Sequence, residues 1–396
     1  MSENVQVVVV GGGYAGVMAA NRLARRDGVS VSMVNPRPEF VSRIRLHQLV
    51  AGSHDAVADY GEVLGGDVRL VVDAATRIDA AERRVTLKSG DTVGYDYLIY
   101  AVGSGVTGPS VPGAAEFAYS VGDLEEAGRL RSALSDAPTV TVVGAGPTGI
   151  ETAAELAEAG HETTLVCGTV LGPYLHPRGR RAVAERLAEL GVTVLEGPGA
   201  RATEVTRDTV RLADGSELPS AVTVWTVGFG VPDLAARSGL RTDSDGRLLT
   251  DATLTSVDDI RIVAAGDAAA ISDRPFRMSC QAAVQLGSGA ATTVLRRIEG
   301  KTPAPVRLLF AGQCISLGRQ TGVIQFAHLN DTVRGLHIDG RLGGRIKEFV
   351  CDATFKQLTS GARKAGSRSS RGDGAERRET LGAEHGTTPS STRRTA

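Results

Sequence analysis

Several broad classes are excluded by what this chain lacks. Its 396 residues contain no run of 18 or more apolar residues, so no transmembrane helix is expected. Residues 1–4 lead straight into a strand pattern, without the basic start and apolar run of a signal peptide. The four cysteines, Cys167, Cys280, Cys314 and Cys351, are widely separated and none falls in a C-x-x-C spacing. That argues against a disulfide framework or zinc site and makes the cytoplasm the default compartment. His47, His176 and His328 stand alone in sequence, so no metal is expected. Charge of either sign is not in excess: 44 Lys and Arg face 45 Asp and Glu, a net of −1, which points away from nucleic acid as a partner. Lysine is scarce beside arginine, so each lysine is more informative than usual.

What the chain does have is valine running into glycine, twice. Val7-Val8-Val9-Val10 leads into Gly11-Gly12-Gly13-Tyr14-Ala15-Gly16, and Val140-Thr141-Val142-Val143 leads into Gly144-Ala145-Gly146-Pro147-Thr148-Gly149. Each is a buried strand, a G-x-G-x-x-G turn and an Ala-rich helix. The glycines allow a tight turn and close approach of backbone to a pyrophosphate, and the helix N-terminus offers free N–H groups to its charge. Two such loops in one chain predict two dinucleotides held together, the arrangement for passing electrons from one to the other.

The first unit reads as the strand Val5–Val10, a helix over 15–26 and a strand over 29–34. Asn35 stands where an acid usually holds ribose hydroxyls, and its amide can still bond one. Arg37 either contacts phosphate or adenine or is a solvated loop residue. Alternation over 68–100 suggests antiparallel strands at Val68–Val72, Arg84–Leu87 and 97–102. The last of these ends in Ala101-Val102-Gly103, small residues that let backbone pass close to a ligand. Pro109, Pro112 and Gly113 mark the crossing into a second domain. There the pattern recurs, with strands near 140–143, 162–167, 203–207 and 210–212, and a closing run, 222–230, that reaches glycine at Gly228. Residues 359–396 are rich in Ser, Arg, Gly, Thr and Glu, and are expected to be disordered.

Together, the two loops, the segments 97–104 and 225–230, and Ala264-Ala265-Gly266-Asp267-Ala268 resemble the pyridine-nucleotide-dependent flavoprotein reductases with two dinucleotide-binding domains. The resemblance covers about residues 5–300. It implies an α/β fold with two Rossmann-like, glutathione-reductase-like domains, for FAD and NAD(P), plus a small C-terminal α+β domain. The implied boundaries are 1–110 and 245–300 for FAD, 111–244 for NAD(P)H, 301–358 for the C-terminal domain and 359–396 for the tail. Gly11, Gly13, Tyr14, Ala15 and Gly16 would then lie at the FAD pyrophosphate, Asp267 at the ribityl hydroxyls with Gly266 beside it, and Gly144, Gly146, Pro147, Thr148 and Gly149 at NAD(P)H. Asp267 also suits a helix N-cap.

The C-terminal segments 318–326 and 340–347 look like the apoptosis-inducing-factor-like quinone reductases and type II NADH dehydrogenases. In that branch a lysine approaches the flavin, and Lys347 is the candidate; a solvated helix lysine is the alternative. Glu151, directly after the second loop, lies near nicotinamide and flavin in the family, though a first-turn Glu also suits the helix dipole. Gln281 and Ala282 fall in the place of a quinone-side A-Q-x-A-x-x-Q motif, with Cys280 replacing its first Ala. Gln281 and Gln285 either bracket a flat polar ring or belong to a helix lying under the flavin. The segment 40–49, where the disulfide-reductase branch carries its cysteine pair, contains none.

The implied activity is oxidation of NAD(P)H by FAD, with electrons passed to a quinone-like or other small acceptor without a dithiol. The strand end at Val166-Cys167-Gly168 lacks the acid that selects NAD, while Arg178, Arg180 and Arg181 lie downstream, so NADH and NADPH both stay open. Also open are a protein acceptor of ferredoxin or rubredoxin type, a secondary-metabolism tailoring oxidoreductase, a non-enzymatic redox sensor and a homodimer. Leu342, Ile346, Phe349, Val350 and Ala353 fall at helical spacing among basic residues. They form either a core-packing stripe or a peripheral contact with the inner face of a membrane.

Overall fold

The computed structural model describes the backbone of residues 4–106, 109–272 and 276–383, and side chains as far as residue 363 except at 106. Two five-stranded parallel sheets carry the two glycine loops. In the first, the spatial order is Ile262–Ala264, Tyr97–Tyr100, Val5–Val10, Val29–Asn35, Val68–Val72. In the second it is Ala118–Ser120, Val222–Trp225, Thr139–Val143, Glu162–Val166, Thr193–Leu195. The central strands are β-branched and apolar because both faces are covered, one by helices and the other largely by an antiparallel insert.

The alternation over 68–100 is therefore only partly antiparallel. Val68–Val72 and Tyr97–Tyr100 belong to the parallel sheet. Between them, Ala75–Asp79, Arg84–Leu87 and Thr92–Gly94 form a separate antiparallel sheet. Half-burial produced the misleading pattern: Val68–Val72 is an edge strand with one face partly in solvent. The second domain has the matching antiparallel insert, Ala202–Val205, Thr209–Leu212 and Glu217–Pro219. The two crossings between domains run side by side, with Gly105–Val106 paired antiparallel to Phe229–Gly230.

The first sheet is completed from far along the chain. Ile262–Ala264 adds its edge strand after the second domain has been traversed, and delivers the turn Gly266–Ala268 to the first loop. The helix Cys280–Ile298 then packs on the first-loop helix Tyr14–Leu23. Gly287 makes this contact close, because a Cβ there would strike the Ala15 backbone.

The C-terminal unit is an antiparallel sheet, Gly312–Ser316, Gly322–Ala327 and Val333–Ile338, followed by the helix Gly340–Ala383. Gly343, Gly344, Lys347, Cys351 and Leu358 recur at helical spacing on its buried face. The helix runs past residue 359, where the composition suggested the start of a disordered tail. Gly361 and Ala362 are small enough to seat this part on the first domain, where Asn21 and Arg25 donate to the carbonyls of Leu358 and Gly361. Residues 384–396 lie outside the described residues.

Candidate active site

The first loop is shaped for a ligand. Gly11 has φ +105°, and a Cβ there would collide with the Ala101 carbonyl. A Cβ on Gly16 would collide with the Gly11 carbonyl, while one on Gly13, just before the helix, would meet nothing within 4 Å. The loop is thus tight against protein on one side and open on the other. Tyr14 and Ala15 are buried in the first turn of the helix, and Tyr14 shares a hydrogen bond with Ser42.

Asp267 faces the same region. Its Oδ2 accepts from the Ser104 hydroxyl at 2.7 Å, whereas its Oδ1 is buried with no hydrogen-bond partner. A buried carboxylate oxygen without a donor costs free energy unless a ligand hydroxyl supplies one. The donor set therefore fits FAD as the sequence places it. Arg43, which the motifs did not single out, reaches in beside Gly103 and donates from Nη1 to the carbonyl and hydroxyl of Ser104. Burial lowers the pKa of its guanidinium, with Asp267 opposing the shift.

Two residues expected at the cofactor also hold protein groups. Asn35 accepts from Gly12 N–H and donates to the Arg37 carbonyl, both at 2.9 Å, so both polar ends of its amide are engaged in tying the loop. Arg37 pairs through both nitrogens with Glu125 of the second domain. It is ion-paired, not a freely solvated loop arginine.

The second loop repeats the first. Gly144 has φ +119° and lies against Thr226, Gly149 closes on the Gly144 carbonyl, and a Cβ on Gly146 would meet nothing within 4 Å. Pro147 opens the helix Pro147–Glu158, and the Thr148 carbonyl accepts from Thr152. Gly228, at φ +82°, turns the chain just after Trp225. Arg178 and Arg181 are exposed, and Arg180 donates to the Leu175 carbonyl at 3.4 Å.

Glu151 and Lys347 are 7 % exposed each, and they meet. Lys347 Nζ lies 2.7 Å from Glu151 Oε1 and also donates to the Cys314 carbonyl at 3.2 Å. Ser316 donates to Glu151 Oε1 from its backbone N–H at 3.0 Å and lies within hydroxyl reach at 3.3 Å. His47, from the helix Leu46–Val50, is buried on the other side, with Nε2 3.2 Å from the Ser316 hydroxyl and Nδ1 3.8 Å from Glu151 Oε2. One carboxylate thus ties together the first domain, the second domain and the C-terminal unit.

Burial opposes ionisation of Glu151, but Lys347, His47 and the hydrogen bonds outweigh it and hold the carboxyl below its usual range. Burial likewise opposes charge on Lys347, and Glu151 overrides it, raising the ammonium pKa. His47 is pushed down to about 4, by burial first and by Lys347 and Arg319 against the pull of Glu151. Its contact with Glu151 is therefore not an ion pair at neutral pH. Lys347 is a paired cation, neither solvated nor free.

A wider set of charges surrounds this core. Arg45 pairs with Glu348 and Asp352, and Arg319 pairs with Glu155 and Glu348. The segment lacking the dithiol thus supplies Arg45, His47 and Gln48, all buried. The signal for this was a polar run, Arg43-Ile44-Arg45-Leu46-His47-Gln48, inside an otherwise apolar region. Elsewhere, the Ala282 N–H is capped by Ser279, and Gln285 holds both the N–H and the carbonyl of Leu309. Gln281 and Gln285 accordingly do not bracket a ring together. Gln281 is half-buried, and among the described residues its side-chain amide has no hydrogen-bond partner.

Two parallel-sheet domains with matching glycine loops, one enclosed by a returning Gly-Asp turn, define a flavoprotein reductase of two-dinucleotide architecture. The chain belongs to the pyridine nucleotide-disulphide oxidoreductase family, whose model matches residues 5–287. It is 32 % identical to an NADH dehydrogenase-like protein of Mycobacterium tuberculosis, over 79 % of this chain and 86 % of that one. It is 30 % identical to the type II NADH:quinone oxidoreductase of the same species, over 80 % and 79 % of the two chains. The fold matches the sulfide:quinone oxidoreductase of Aquifex aeolicus with a TM-score of 0.76, at 20 % identity, covering 90 % of this chain and 92 % of that one. The protein is an FAD-dependent oxidoreductase that uses NAD(P)H. No helix among the described residues is long and apolar enough to cross a membrane.

Proposed function

We propose that the chain is an NAD(P)H:quinone oxidoreductase in which Glu151 and Lys347 form the polar floor of the electron-transfer site. The observation that carries this reading is their buried ion pair at the junction of all three units. FAD would be held by the loop glycines Gly11, Gly13 and Gly16 and by Asp267, and NAD(P)H by Gly144, Gly146 and Gly149. The flavin supplies the redox chemistry, accepting a hydride and releasing two electrons to the acceptor. The protein contributes position, exclusion of water and fixed charge. Glu151 fixes the ammonium of Lys347, and Lys347 keeps Glu151 ionised. An ion pair that is already organised needs no rearrangement when charge develops beside it. A quinone acceptor is supported by the relatives and by the absence of a C-x-x-C dithiol from the segment 40–49.

The C-terminal surface supports peripheral contact with a membrane, where a lipid quinone resides. Leu336, Leu342 and Phe349 are 55 %, 57 % and 71 % exposed, alongside the exposed Arg334, Arg341 and Arg345. Apolar side chains interleaved with arginines suit an anionic lipid surface. The stripe from Leu342 thus divides, because the buried face of the helix is built instead from Gly343, Gly344, Lys347 and Cys351.

Steady-state oxidation of NADH and NADPH by the purified yellow protein, against quinones, dyes and oxygen, tests the acceptor. Glu151→Ala is expected to slow turnover more than it weakens FAD retention. Recovery of mainly flavin-free protein would give Glu151 a purely structural task. Reduction of a ferredoxin or rubredoxin that falls steeply with salt, with no quinone turnover, would favour a protein acceptor instead.

A further inference from the structure

The buried cluster contains one group that is not already committed. Lys347 carries its full complement of protons and is paired; Glu151 is held ionised by that pair. His47 is neutral at rest, and its surroundings suit two protonation states. With the proton on Nδ1, the ring directs an N–H toward Glu151 Oε2 at 3.8 Å and accepts from the Ser316 hydroxyl at 3.2 Å. With a second proton on Nε2, the ring donates to Ser316 Oγ, whose O–H turns to Glu151 Oε1 at 3.3 Å. Only one hydroxyl rotates between these states, and no heavy atom has to move. A buried imidazole held in this way exchanges a proton at low cost in reorganisation.

The reaction consumes a proton. NAD(P)H plus quinone plus one proton gives NAD(P)+ plus quinol, so each turnover draws one proton from solution. The charges facing His47 are Glu151 on the helix Pro147–Glu158, Lys347 and Glu348 on the C-terminal helix, and Arg319 between the C-terminal strands. Lys347 and Arg319 keep the ring neutral in the resting protein, and Glu151 draws a proton toward it as local negative charge grows. We infer that His47, acting through the Ser316 hydroxyl and Glu151, is the positioning residue that takes up the proton consumed when the acceptor is reduced. This inference rests on the quinone-reductase reading and on Glu151 lying at the electron-transfer site.

The test separates the two halves of the reaction in holoenzyme carrying His47→Gln, whose side chain hydrogen-bonds without titrating. Anaerobic bleaching of the flavin by NADH consumes no proton and should be affected far less than reoxidation by menadione. Reoxidation should slow by on the order of tenfold or more and lose its pH dependence. Ser316→Ala, which keeps the ring and removes the hydroxyl link, should slow the same half. A second readout is the thermal midpoint against pH: the wild type loses stability as the medium is acidified through the normal imidazole range, and His47→Gln does not. Reoxidation of His47→Gln with unchanged rate and pH profile would overturn the inference, as would equal slowing of both halves. Glu151→Gln distinguishes the failures. If it alters neither half, the site reading itself falls; if it alters turnover while His47→Gln does not, only the role of His47 falls.

Discussion

The two glycine loops share sheet order, turn geometry and an open Cβ direction at the third position, at Gly13 and Gly146, yet their surroundings differ. The first is enclosed. Asn35 and Tyr60 clamp Gly12 through its N–H and carbonyl, and Asp267 arrives on an edge strand donated from beyond the second domain. The corresponding edge strand of the second sheet, Ala118–Ser120, comes before the loop strand Thr139–Val143 instead of returning from a distant part of the chain, and it brings no carboxylate to the loop. On the proposed reading, the same local motif serves a retained ligand in one place and an exchanging one in the other, and the difference lies in residues distant in sequence.

The interface between the two regions should be the most sensitive point. Lys347→Met leaves Glu151 buried without its cation, and loss of one partner of a buried pair costs about 3–5 kcal/mol. Thermal or chemical denaturation of the holoenzyme checks this; a loss below about 1 kcal/mol would mean that the pair behaves as an exposed one. The loops themselves come next. Gly11→Ala forces a Cβ into the Ala101 carbonyl at a left-handed φ, and the flavin-to-protein absorbance ratio should collapse. Gly146→Ala adds a methyl to open space and should weaken NADH binding while sparing flavin content. Equal effects on flavin from the two substitutions would erase the distinction between retained and exchanging sites.

Acidification gives an effect of similar size by another route. His47 titrates near 6.5 in the unfolded chain and at about 4 in the folded one. Between those values the unfolded state binds more protons, so stability is complete above pH of about 6.5 and falls as pH drops toward 4. The loss from this residue is on the order of 3 kcal/mol, and His47→Gln should remove that part of the pH dependence. Asp267→Ala removes a charged acceptor and should loosen FAD by about 1.5–3 kcal/mol, roughly tenfold to a hundredfold, without changing NADH affinity. Flavin release measured by fluorescence checks it.

The local parts of this molecule were legible in its sequence, because strand, turn and helix follow from neighbouring residues. Both loops could be placed that way, whereas the Gly266-Asp267 turn, Glu151 and Lys347 were singled out through the family resemblance, and the burial of the last two was not foreseen. Contacts across long sequence separations could not. Nothing near Arg37 announces Glu125, and nothing near His47 announces Ser316, 269 residues away. Val68–Val72 misled because an edge strand of a parallel sheet shows the same half-buried alternation as an antiparallel one. Residues 359–363 misled because their small members, Gly361 and Ala362, add little apolar surface yet let the helix lie close on Asn21.

The most direct test is anaerobic addition of NADH to purified protein in which all four cysteines are replaced by serine. The expected result is a yellow protein whose flavin absorbance bleaches promptly and returns on adding a quinone. A protein that binds no flavin although folded, or whose flavin no longer responds to NADH once the thiols are gone, would contradict direct transfer between the two dinucleotides.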